Sequence, residues 1–144
     1  MIQAVGKDEL PIVAALGTLL WQNHSAEALV QEFSDILSKG NAQFFLKYEQ
    51  DVPVGFAQCQ LRFDYVEGTQ TSPVGYLEGI FVKENYRNRG YGQELLTACE
   101  AWAKEKGCRE FASDCEMDNT DSIRFHKAMQ FNLANRIVCF TKPL

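Results

Sequence analysis

Leu77-Glu78-Gly79-Ile80-Phe81-Val82-Lys83-Glu84-Asn85-Tyr86-Arg87-Asn88-Arg89-Gly90-Tyr91-Gly92-Gln93-Glu94-Leu95-Leu96 joins two kinds of local structure. Its first residues are rich in β-formers, and the period changes after Tyr86. Gly92, Leu95, Leu96, Cys99, Trp102 and Ala103 then recur at the spacing of one helix face. A strand therefore runs through a short basic, Gly-containing loop into an amphipathic helix. Amides in the first turn of a helix lack intrahelical partners, the helix dipole is positive there, and glycines allow an anion close to the backbone. The junction suits a pyrophosphate. A Walker A loop is excluded, because Gly-Lys-Ser/Thr is absent, and Leu95 stands where a dinucleotide fingerprint needs glycine.

Outward from this junction the elements alternate. Met1–Val5 reads as a strand. Asp8-Glu9-Leu10-Pro11 opens a helix that continues over Ile12–Trp21, and Ser25 is placed to cap a second. Gln43–Glu49 and Val54–Tyr65 read as strands joined by the turn Gln50-Asp51-Val52-Pro53. The turn-rich loop Val66–Pro73 leads to a strand over Val74–Val82. Beyond the long helix and its stop at Gly107, the reading predicts a strand over Glu110–Asp114 and a helix from Thr120 to Met129. A last strand is expected at Arg136–Thr141, after a strand portion or turn at Phe131–Ala134. The order β-αα-βββ-α-β-α-β predicts a single α/β (α+β) domain over residues 1–144.

Composition bounds the function. With 46% hydrophobic and 23% charged residues the chain is ordinary globular material, and no apolar run is long enough to span a bilayer. The N-terminus lacks a signal-peptide layout, so a cytoplasmic protein is expected. A formal charge of −5 without a basic cluster argues against nucleic acid and favours a cationic partner. Five cysteines without a CxxC pair, and two distant histidines, argue against a disulfide framework or a metal site. The cysteines are expected to be buried thiols.

Arg87-x-x-Gly90-x-Gly92 after a strand resembles the acyl-CoA loop of the GNAT superfamily of N-acetyltransferases, and the element order matches that superfamily across essentially the whole chain. Asn119-Thr120-Asp121-Ser122-Ile123-Arg124-Phe125-His126-Lys127-Ala128-Met129-Gln130-Phe131 is similar to its second CoA-facing segment, with His126 at a common tyrosine position and Gln130 for the usual glycine. The resemblance implies the GNAT fold, a mixed and mostly antiparallel central sheet flanked by helices. It implies acetyl-CoA as co-substrate, held by Ile80, Phe81, Val82, Arg87, Asn88, Arg89, Gly90, Tyr91, Gly92 and Asn119, with Asn119 hydrogen-bonded to the pantetheine or a neighbouring strand.

More specifically, Gly68–Val74, Leu77–Val82, Asp64-Tyr65-Val66, Phe111-Ala112-Ser113-Asp114 and Leu20-Trp21-x-x-His24 resemble the aminoglycoside 6′-N-acetyltransferases of Gram-negative bacteria. That likeness implies acetylation of the 6′-amine, antibiotic resistance and a homodimer. It implies Glu78 and Asp114 as catalytic and substrate-binding carboxylates, either able to be the base. It also implies Trp21, His24, Tyr65 and position 135 as substrate-lining residues, although Asn135 stands where the family places a carboxylate. His126 is readable either as a proton donor to the leaving thiolate or as a structural histidine. Two alternatives stay open: a GNAT enzyme acting on a polyamine or protein N-terminus, and a non-catalytic acyl-CoA- or drug-binding module.

Overall fold

A computed structural model describes residues 1–144. The strands are β1 (Ile2–Ala4), β2 (Ala42–Glu49), β3 (Val52–Arg62), β4 (Val74–Val82) and β5 (Phe111–Ser113). The α-helices are α1 (Leu10–Leu20), α2 (Ala26–Ser38), α3 (Tyr91–Glu105) and α4 (Thr120–Ala128). The strands form one sheet in the order β1-β2-β3-β4-β5. Every pairing is antiparallel except β4 with β5, which is parallel. This is the mixed, mostly antiparallel sheet expected.

Side chains alternate across the pleat and feed a core on each face. Phe44, Leu46 and Phe56 join Val13, Leu16, Leu29 and Phe33 beneath α1 and α2. Phe45, Ala57, Cys59 and Leu77 join Leu95, Leu96 and Cys99 beneath α3. Ser25 caps α2 as anticipated, its hydroxyl accepting from the Ala28 amide at 3.1 Å. The β2–β3 turn places both Gln50 and Asp51 at positive φ, the backbone of a two-residue hairpin.

The expected final strand does not form. Residues 131–144 take no regular structure, because a strand exists only against a neighbour and none of this chain's sheet edges pairs with them. Ile137, Val138 and Phe140 are left exposed. The cysteine expectation holds for Cys59, Cys99 and Cys108, which are buried, and fails for Cys115 and Cys139, which are exposed.

Gln130 has a physical consequence. It follows the end of α4 with φ of 70°. Its amide donates to the Lys127 carbonyl at 3.1 Å, and the Phe131 amide donates to the His126 carbonyl at 3.0 Å. These two bonds are the Schellman closure, whose left-handed residue favours glycine. A side chain there costs about 1–2 kcal/mol relative to an unstrained backbone, partly offset by the entropy glycine loses on folding. Gln130→Gly is therefore expected to stabilise the protein by up to about 1 kcal/mol, read as a higher urea midpoint; an unchanged or lower midpoint would contradict this.

Candidate active site

β4 holds the decisive irregularity. Gln58 pairs with Gly79, but Cys59 pairs with Leu77, so Glu78 is an extra residue bulged out of the ladder. The bulge switches the parity of the strand. Leu77 before it and Ile80 and Val82 after it all pack into the core beneath α3, while Phe81 packs on the α1–α2 side. Simple alternation along β4 would put Tyr76, Glu78, Ile80 and Val82 on one face; the bulge instead turns Ile80 and Val82 to the other.

Just beyond this point β4 and β5 part. Their last paired residues are Leu77 and Ser113, yet β4 continues to Val82. Glu78 and Asp114 are thus the first residue past the fork on each side. A cleft of about 1000 Å³ opens there, lined by both carboxylates and running along Ile80–Val82 to the start of α3.

That helix start carries no side-chain cap, and its N-cap Gly90 is left-handed. Asn88, at φ of 63°, and Gly90, at 82°, turn the loop so that the first-turn backbone of α3 faces the cleft. Gly92 packs under the Phe125 ring, which a Cβ would approach to 3.0 Å. The uncapped amides, the helix dipole and the bare backbone of Gly90 and Gly92 fit a diphosphate.

The loop is pinned from behind. Arg87 Nε donates to the Val82 carbonyl at 2.7 Å. Arg89 donates to Glu49 at 2.8 Å and the Tyr91 hydroxyl donates to the same carboxylate. Lys47, nearly buried, reaches Glu94 at 2.9 Å. Of the residues expected to hold CoA, Arg89 alone is missing from the cleft wall, because Glu49 draws it away. Asn119 lines the cleft, but its side chain is the α4 cap, accepting from the Ser122 amide at 3.1 Å.

The carboxylates are not free. Glu78 accepts from Arg62 Nε at 3.1 Å and Nη2 at 2.9 Å, and Asp114 accepts from the Tyr76 hydroxyl. Burial, and then the bond to Asp114, hold the Tyr76 phenol well above its usual pKa, so it remains a donor. Neither Arg62 nor Tyr76 was singled out by the motifs. The signal available was their position on strands beside Glu78, but the fork that brings Tyr76 to Asp114 is a tertiary event.

Trp21 caps α1, packs between Phe33 and Phe56, and borders the cleft. His24, Tyr65 and Asn135 lie outside the cleft wall and are exposed. The Tyr65 hydroxyl accepts from the Gly68 amide at 3.3 Å, and Asn135 donates to Glu67 at 2.8 Å. His126 does line the cleft, with both nitrogens engaged. Nδ1 is 2.7 Å from the Ser122 carbonyl and must donate to it, while Nε2 is 2.7 Å from the Ser113 hydroxyl. This favours the structural reading of His126.

The acetyltransferase (GNAT) family matches residues 13–131. The chain belongs to the GNAT family. Among its relatives, aminoglycoside N(6′)-acetyltransferase type 1 of Serratia marcescens is 39% identical, covering 100% of this chain and 99% of the relative. The Salmonella enteritidis enzyme of the same name is 36% identical, covering 98% and 97%. The solved aminoglycoside N-acetyltransferase AAC(6′)-Iy in complex with CoA superposes with a TM-score of 0.96 at 35% identity, covering 100% of this chain and 95% of that one. The same enzyme has also been solved with a bisubstrate analogue, CoA-S-monomethyl-acetylneamine. The fork, the bulge and the uncapped helix are thus those of a GNAT enzyme.

Glu49 gives the anchoring of the loop before α3 a pH dependence. The hydrogen bond from Tyr91 holds its carboxyl below the usual range, aided by Arg89 and opposed by desolvation. A group with a lowered folded pKa adds stability that is present above its unfolded value, near 4.3, and lost as pH falls through the folded value. Glu49→Gln should lower the melting temperature at pH 7, and the gap to wild type should close below about pH 4. A gap independent of pH would count against the carboxylate as the anchor.

Proposed function

We propose that this chain transfers the acetyl group of acetyl-CoA to the 6′-amine of aminoglycoside antibiotics in a ternary complex, and so confers resistance to them. The observation that carries the reading is the pair Glu78 and Asp114 at the fork, at the far end of a cleft that begins at uncapped helix amides. The relatives' names and the CoA–aminoglycoside complex of the AAC(6′)-Iy enzyme support the same substrates.

Acyl transfer to an amine forms a C–N bond and breaks the thioester C–S bond, and the departing CoA thiolate takes up the second proton that the nitrogen sheds. The acceptor must first lose a proton, because an ammonium has no lone pair. Glu78 and Asp114 attract the polycation and either can receive that proton. Amides of the Ile80–Val82 strand edge, where β5 no longer pairs, are available to the developing oxyanion. Trp21 offers an aromatic wall to a sugar face. Ile80, Phe81, Val82, Arg87, Asn88, Gly90, Tyr91 and Gly92 make the CoA side of the cleft, and no side-chain group suited to a metal gathers anywhere in the chain.

The five free thiols, two of them exposed, suit a reducing compartment and support a cytoplasmic enzyme. The active form is a homodimer. Ile137, Val138 and Phe140 lie on a segment without a strand partner, and β5 has one unpaired edge, so a second copy can bury both features.

Purified protein with acetyl-CoA and a thiol reporter tests the activity. Thiol release with kanamycin, and none with spermidine or a peptide, is expected; release with spermidine or peptide alone would reassign the acceptor, and binding without release would make this a non-catalytic module. Glu78→Gln should lower turnover by about 100-fold or more while leaving acetyl-CoA binding intact. Sedimentation should give twice the 16.3 kDa chain mass. The double change Val138→Asp, Phe140→Asp should give the single mass, and a wild-type monomer would exclude the dimer.

A further inference from the structure

The proposed function uses Glu78 and Asp114 but leaves unexplained why a cation-binding site holds a cation of its own. The Arg62 guanidinium makes a two-point contact with Glu78 and lies 3.4 Å above the Tyr76 ring centroid. Tyr76 is only 6% exposed, and its hydroxyl donates to Asp114. The four side chains form one continuous chain across the fork, Glu78–Arg62–Tyr76–Asp114. We propose that Arg62 and Tyr76 are positioning residues that lock the two carboxylates into a single acceptor-binding unit. The inference rests on the function proposed above.

Electrostatics alone argue against placing Arg62 here, because its charge offsets part of the attraction for a polycation. Geometry argues for it. Glu78 sits on a bulge with freely rotating side-chain bonds, and bond formation requires near-attack placement of the amine. A guanidinium fork matches a carboxylate at both oxygens and fixes its plane, which a lysine ammonium cannot do. A carboxylate has about four acceptor sites, so two remain for the substrate after Arg62 takes its pair. Tyr76 in turn is both the surface on which the guanidinium stacks and the donor that orients Asp114. Each carboxylate is thereby oriented through the same ring.

Arg62→Lys keeps the charge and loses the fork, so kcat with kanamycin should fall about 10- to 100-fold while KM for acetyl-CoA stays unchanged. Tyr76→Phe keeps the ring and loses the donor, and should produce the same pattern. Because the four groups act as one, the double variant should be little slower than the worse single variant. Wild-type turnover in Arg62→Lys would overturn the proposal. So would Arg62→Ala with a lower KM for kanamycin and unchanged kcat, since the guanidinium would then be a competitor. Fully multiplicative losses would overturn the single unit. If no amine gives thiol release with wild type, the function itself falls and this role with it. An active wild type with an indifferent Arg62→Lys removes only the role.

Discussion

Past Leu77 and Ser113, β4 and β5 share no more backbone hydrogen bonds. A sheet that simply continued would satisfy those amides and carbonyls internally and leave no cleft. Parting the strands exposes a polar strand edge inside the molecule, and such an edge persists only if something else can satisfy it. The bulge at Glu78 falls at the same point, adding a residue on β4 where β3 does not. That extra residue turns a carboxylate into the gap and carries Ile80 and Val82 back to the core beneath α3. One local irregularity at the mouth of the opening therefore supplies its charge and returns the strand to the core.

The opposite end of the cleft is fixed by charge rather than by packing. Lys47 and Glu49 of β2 reach forward to Glu94, Arg89 and Tyr91, and so hold the start of α3 from below. Arg89 and Tyr91 give their polar ends to this anchor, while the backbone of the same loop faces the cleft. The division is economical. Side chains do the holding, and amides are left for an anion. A mobile loop would lose entropy on each binding event, and a loop already held loses less.

Much of this was legible beforehand. The helical period from Gly92 to Ala103, the cap at Ser25 and the span Val74–Val82 follow from local chemistry, and the structure reproduces them. Arg87-x-x-Gly90-x-Gly92 was readable because its function needs backbone, and backbone demands glycine at named positions. The site's polar frame was not readable in this way. A bulge is a mismatch between two strands, so the residues of β4 alone give no sign of it, and simple alternation would leave Ile80 and Val82 on the face of Tyr76 rather than beneath α3. Arg62 and Tyr76 likewise acquire meaning only once three strands lie side by side. The expected last strand failed for a related reason. Arg136–Thr141 has strand composition, but composition cannot supply a partner.

Gly79, next to the bulge, shows how tightly the carboxylate end of the cleft is constrained. A Cβ at this position would lie 2.7 Å from the Trp21 ring. The ring that walls the cleft and the strand that carries Glu78 can therefore meet only because position 79 has no side chain. Trp21 also ends α1 and packs against the Phe33 and Phe56 rings, so its own position is fixed by the core. The aromatic wall, the bulge and the carboxylate are thus set by one backbone contact. The carboxylate end of the cleft is as much a product of core packing as of its charges.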